Sequence, residues 1–84
     1  MIFSVYILYS KTCKRFYTGH THDLNNRIDE HNRGETKSIK NCAPNDRVWH
    51  IEVATRSEAM VMESKIKKRG ASRFLADLGI KVDH

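Results

Sequence analysis

Hydrophobic and polar positions alternate most clearly at the start of the chain. Residues 2–10 and 16–19 form two short apolar runs, joined by a polar segment at 11–15. Two such runs with a short polar connection predict a β-hairpin. Strand side chains point to opposite faces in turn, so Tyr6 shares a face with Ile2, Ser4 and Leu8, while Phe3, Val5, Ile7 and Tyr9 take the other. Apolar groups on both faces predict a central strand covered on both sides. The first run carries Tyr6, besides Tyr9 on the other face, and the second run carries Tyr17.

The rest of the pattern predicts one more strand and three helices. Asp23 is suited to cap a helix beginning at Leu24. Leu24, Arg27, Ile28 and His31 have helical spacing and share a face, and Gly34 is a suitable stop. Residues 35–46 have no periodicity and read as a long polar loop, a candidate for substrate contact or disorder. Alternation returns over 47–55, with Trp49, Ile51 and Val53 on a drier face and Val48, His50, Glu52 and Ala54 on the other. Thr55-Arg56-Ser57-Glu58 fits a capping box, so a helix is expected from there to about Arg69, ended by Gly70. Ser72 would cap a last short helix with Phe74, Leu75 and Leu78, stopped by Gly79, and residues 80–84 read as a tail. The order is ββαβαα, with no internal repeat or second domain. This is an α+β chain expected to form a single domain over 1–84.

Composition narrows the partners. The 84 residues carry a formal net charge of +5, which favours an anionic partner such as nucleic acid or a membrane surface. No apolar run approaches the roughly 20 residues that span a bilayer, and no secretory signal pattern precedes the first strand. The expectation is a soluble, cytoplasmic protein without a membrane partner, with Cys13 and Cys42 as free thiols in preference to a disulfide between them. Cys13, His20 and His22 do not have zinc-site spacing, and there is no P-loop or dinucleotide turn.

Several polar residues sit where apolar ones would be ordinary. Arg27 and His31 flank Leu24 and Ile28 on one helix face; a snorkelling arginine and a surface histidine near a helix C-terminus are the plain explanations. Glu63 interrupts the stripe Ala59, Met62, Ile66. A carboxylate on a buried side is costly unless paired, protonated or bound to a cation, and a salt bridge to a lysine or to Arg27 would serve. Lys65, Lys67, Lys68 and Arg69 make a basic face, suited to solvent or to a phosphate backbone.

Taken together, Tyr6, Tyr17, Arg27, His31 and Glu63 occur in an order that resembles the GIY-YIG nuclease family. The chain is most similar to small stand-alone members related to the N-terminal nuclease domain of excinuclease C. The matching pieces are Ser4-Val5-Tyr6, Tyr17-Thr18-Gly19, Leu24-Asn25-Asn26-Arg27 with His31, and Ser57-Glu58-Ala59 leading to Glu63 and Ile66-Lys67-Lys68. Ser4 stands where the first motif opens on glycine, and Thr18 where the second has isoleucine. Residues 70–77 lack the asparagine that some members carry after the glutamate.

The resemblance implies a three-stranded antiparallel sheet flanked by helices, in the ββαβαα order already read from the pattern. It implies phosphodiester hydrolysis of nucleic acid, DNA before RNA, in repair or processing. Glu63 would hold one divalent ion, Mg²⁺ or Mn²⁺, and Arg27 would clamp the phosphate. Tyr6 is the candidate general base, His31 the candidate acceptor of its proton, and Tyr17 a hydrogen-bond partner of the attacking water or the phosphate. Gly19 permits close backbone approach, and Lys67 and Lys68 are candidates for phosphate contact. One site cuts one strand at a time, so a double-strand cut would need a weak homodimer or two encounters. The alternatives are a nucleic-acid-binding module of the same fold without strong catalysis and, after it, a structural or adaptor domain whose inward polar groups form an Arg27–Glu63 ion pair.

Overall fold

The first strand, β1 (Phe3–Ser10), lies in the middle of a three-stranded antiparallel sheet of order β2-β1-β3. The computed structural model describes residues 2–33 and 46–81, with the side chain of His31 excepted. Strand β1 is covered on both faces as its pattern predicts: Val5, Ile7 and Tyr9 are buried on one, Tyr6, Leu8 and Ser10 on the other. Strand β2 (Arg15–Thr21) pairs with it in a hairpin register that sets Tyr6 opposite Gly19 and Leu8 opposite Tyr17. Strand β3 (Asp46–Val53) pairs along the other side, with His50 opposite Tyr6.

Strand β2 ends in a small hydrogen-bond network. Asp23 N–H donates to Thr21 Oγ1 at 3.1 Å, and Asp23 Oδ1 accepts from Asn26 N–H at 3.3 Å. The aspartate thus caps α1 (Leu24–Asn32) by satisfying one of the amides that a helix start leaves without a partner.

Helix α2 (Arg56–Arg69) begins as its sequence indicates. Thr55 Oγ1 accepts from Glu58 N–H at 3.1 Å, and Glu58 Oε2 reaches back to the N–H of Ala54 at 3.2 Å. Ala59 and Ile66 of this helix join Val5 and Ile7 of the sheet and Leu75 of α3 (Ala71–Asp77) in the buried core. Gly70 ends α2 and starts α3 with φ of 92°, a conformation that side-chain-bearing residues adopt at a cost. Arg69 clamps the junction with two hydrogen bonds to Asp77, at 2.9 and 3.0 Å. Trp49 of β3 meets Phe74 of α3 edge to face, with centroids 5.0 Å apart.

Four sequence expectations need correction. The strict alternation of β3 is broken by a bulge: Ile7 pairs with Trp49 but Leu8 with Arg47, so Val48 and Trp49 both pack on the core while Ile51 is 37% exposed. Ser72 does not cap α3; Gly70 occupies that position, without a side-chain cap bond. Ile80 is not free tail, since its N–H donates to Leu75 O at 2.9 Å and its side chain packs against the core. Cys13, near the hairpin tip, is disulfide-bonded rather than a free thiol. The thiol expectation came from cellular redox statistics, whereas bonding depends on which sulfurs the fold brings together. Cys42, Gly34, the loop positions 35–45 and the tail positions 82–84 lie outside the described residues.

The core account predicts that Ile7→Ala lowers the free energy of unfolding by about 2–5 kcal/mol. Gly70→Ala, where an added methyl meets nothing within 4 Å, is expected to cost about 1–2 kcal/mol from backbone strain alone. Urea denaturation of the two variants beside the parent measures both.

Candidate active site at the sheet edge

Strand β2 is an edge of the sheet, and the side chain of Tyr6 lies across it. A Cβ built on Gly19 would stand 2.6 Å from the Tyr6 hydroxyl and 2.9 Å from its Cζ. The phenol therefore passes over β2 at the one position without a side chain. Tyr6 is buried, and burial pushes its pKa above the usual tyrosine value; Arg27 pulls it down, while Glu63 and Glu30 push it up. The tyrosine is thus a neutral phenol in the free protein, set within the field of a guanidinium and a carboxylate.

Arg27 comes from the first turn of α1, held in place by the Asp23 cap behind it. Its guanidinium donates to Glu30 Oε2 at 3.2 Å, and Asn26 donates to the other oxygen of Glu30 at 2.8 Å. Of the plain explanations for Glu63, the salt bridge to a lysine is formed, with Lys67, while the ion pair to Arg27 is not, since Arg27 takes a neighbour on its own helix.

Glu63 lies on α2 with its side chain 21% exposed. Its Oε1 is 2.8 Å from His20 Nδ1 and its Oε2 accepts from Lys67 Nζ at 2.8 Å. Burial raises the Glu63 pKa, but the bonds from Lys67 and His20 outweigh it and hold the carboxyl below the usual range. An ionised carboxylate only accepts, so His20 donates through Nδ1–H.

Beside these groups a cavity of about 810 Å³ runs between β2 and the junction of α2 with α3, lined by Tyr6, Tyr17, Lys67 and Arg73 among others. The Tyr17 hydroxyl is buried without a hydrogen-bond partner among the described residues. A buried hydroxyl in that state is a ready donor or acceptor for a bound group.

The structure brings Tyr6, Gly19, Arg27, Glu63, Tyr17 and Lys67 to one region. It places Lys68 elsewhere, on a groove with Met60, Val61 and Lys65. His31 is on α1, but its side chain lies outside the described residues. Sequence reasoning missed His20, which it weighed only as a zinc ligand. Nothing local in the sequence marks it, because the partner that gives it a role lies 43 positions away.

No group of three or more histidine, cysteine, aspartate or glutamate side chains suited to a metal occurs among the described residues. A hydrated divalent cation needs fewer, and the ionised Glu63 carboxylate is an oxygen ligand of the kind such ions take, but Lys67 and His20 already donate to its two oxygens, so an ion there would have to displace one of them. None of the described helices is long and apolar enough to cross a membrane.

No curated protein matches the sequence. Among solved structures, the chain is similar to a UPF0213 protein of Bacillus halodurans determined by solution NMR. The two are 29% identical with a TM-score of 0.58, over 96% of this chain and 86% of that one. The family described as the GIY-YIG catalytic domain matches residues 2–74, from the start of β1 into α3. The three-stranded sheet with its helices in the order ββαβαα is the fold of that family, and this chain belongs to it, a nuclease-type domain whose substrate is nucleic acid.

Proposed function

We propose that the chain is a divalent-metal-dependent endonuclease that hydrolyses phosphodiester bonds of DNA, in repair or processing. The observation that supports this is the Tyr6 phenol lying over Gly19 within electrostatic reach of Arg27 and Glu63, beside a basic cleft. Three elements distant in sequence supply those groups, and packing alone needs none of them.

A divalent ion held by Glu63 would act as Lewis acid toward the phosphate and the departing 3′ oxygen. Arg27 supplies a planar fork for a non-bridging phosphate oxygen, a geometry that lysine lacks. Glu30 holds that fork before substrate arrives. The buried Tyr17 hydroxyl bonds either the attacking water or the phosphate. Tyr6 orients the water as a neutral phenol and takes its proton only after losing its own, for which His31, one turn beyond Arg27, is the proposed acceptor. Gly19 leaves the space through which the phenol reaches the site. Lys67 and Lys68 contact backbone phosphates, Lys68 from its separate groove.

Plasmid nicking tests the reading. With Mg²⁺ or Mn²⁺ the parent nicks supercoiled DNA and a chelator stops it; Glu63→Gln is expected to lose about 10²-fold or more. A Glu63→Gln variant as fast as the parent rules the assignment out. The pH profile tests Tyr6. Because its pKa is raised, the phenolate fraction is small at neutrality and grows about tenfold per pH unit below that pKa. Cleavage should therefore rise through the alkaline range, and Tyr6→Phe should flatten the rise along with lowering the rate.

A further inference from the structure

The two partners of Glu63 differ in how firmly they are held. His20 sits on β2, its backbone fixed by pairing with Val5, and its side chain is 25% exposed. Lys67 lies one turn along the helix that carries Glu63, and its side chain is 57% exposed at the end of a flexible stem. An exposed pair at this spacing is weakly held, because the long lysine stem gives up much freedom to keep it, whereas a histidine on a paired strand has only two side-chain torsions to fix.

We propose that the two oxygens of Glu63 have separate jobs: His20 pins Oε1 and orients the carboxylate, while Lys67 is an exchangeable counter-ion on Oε2 that an arriving divalent cation displaces. This rests on Glu63 being the ion-holding residue. Lys67 lines the same cleft as Tyr6 and Tyr17. Once displaced, its ammonium enters the space where a substrate phosphate would lie, so loading the ion also arms the cleft with a positive charge. His20 is a positioning residue: a donor to the oxygen left on the far side keeps the carboxylate turned toward the ion.

Binding of Mn²⁺ to the chelator-treated full chain, followed by EPR of the free ion, tests this without any cleavage. Lys67→Met, which keeps the stem and removes the competing charge, should bind Mn²⁺ roughly two- to fivefold more tightly and raise KM for DNA. His20→Ala should bind it about 10-fold or more weakly, and His20→Asn, with an amide N–H near the place of Nδ1, should recover most of that loss. Melting curves without metal confirm that each variant is folded. Lys67→Met that binds Mn²⁺ no better than the parent, or His20→Ala that binds it equally well, overturns the inference while loss of binding in Glu63→Gln leaves the ion-holding reading standing. Equal binding by the parent and Glu63→Gln overturns both.

Discussion

The arrangement depends on one close approach, the phenol of Tyr6 over Gly19. The ring starts from the most buried strand of the molecule and ends above an edge strand, where its hydroxyl occupies the space a side chain at position 19 would need. A central strand fixes the base of the ring and the missing side chain opens its route. The result is a hydroxyl set by the sheet itself rather than by a mobile loop, and a rigid support is what positions a reacting group within the tolerance chemistry needs.

The other groups are fixed by local devices that converge on this hydroxyl. The Thr21–Asp23 network ends β2 and starts α1, and so determines where Arg27 stands. The Thr55–Glu58 cap starts α2, and the burial of Ala59 and Ile66 sets the helix's rotation. That rotation turns Glu63 to the sheet edge, where His20 and Lys67 compensate the cost of its partial burial. The carboxylate stays ionised because the donors outweigh desolvation, so it retains the charge a cation would seek. Tyr6 is tuned the opposite way, held neutral by burial. Two acidic groups of one site are thus driven to different protonation states by their surroundings.

Much of the fold was legible because its signals are local. The alternation in the hairpin, Asp23 before Leu24, the capping box and Gly70 after Arg69 each act within a few residues, and each appears in the structure. The departures arise where a neighbour distant in sequence decides. The bulge at Val48 is a property of pairing with Leu8, so the pattern of β3 alone could not show it. The bonding state of Cys13 and the packing of Ile80 are likewise settled by the folded chain. In the site, Glu63 was visible as a charge breaking an apolar stripe, but its bond to His20 spans 43 positions of sequence. A histidine in a polar strand end has no local mark that separates a partner of an acid from a surface side chain.

The most direct test of the central approach is a cycle of Gly19→Ala and Tyr6→Phe, read as the single-turnover rate of DNA nicking with a divalent ion, alongside melting temperature. Position 19 lies in ordinary strand backbone, and the nearest atoms its added methyl would meet are the hydroxyl and ring carbons of Tyr6, which would have to shift. Gly19→Ala should stay folded, melting below the parent because the buried ring must shift, and lose rate by about 10²-fold, much as Tyr6→Phe does, with the double variant no slower than the slower single one. Parental cleavage by Gly19→Ala, or losses that multiply in the double variant, would contradict the account.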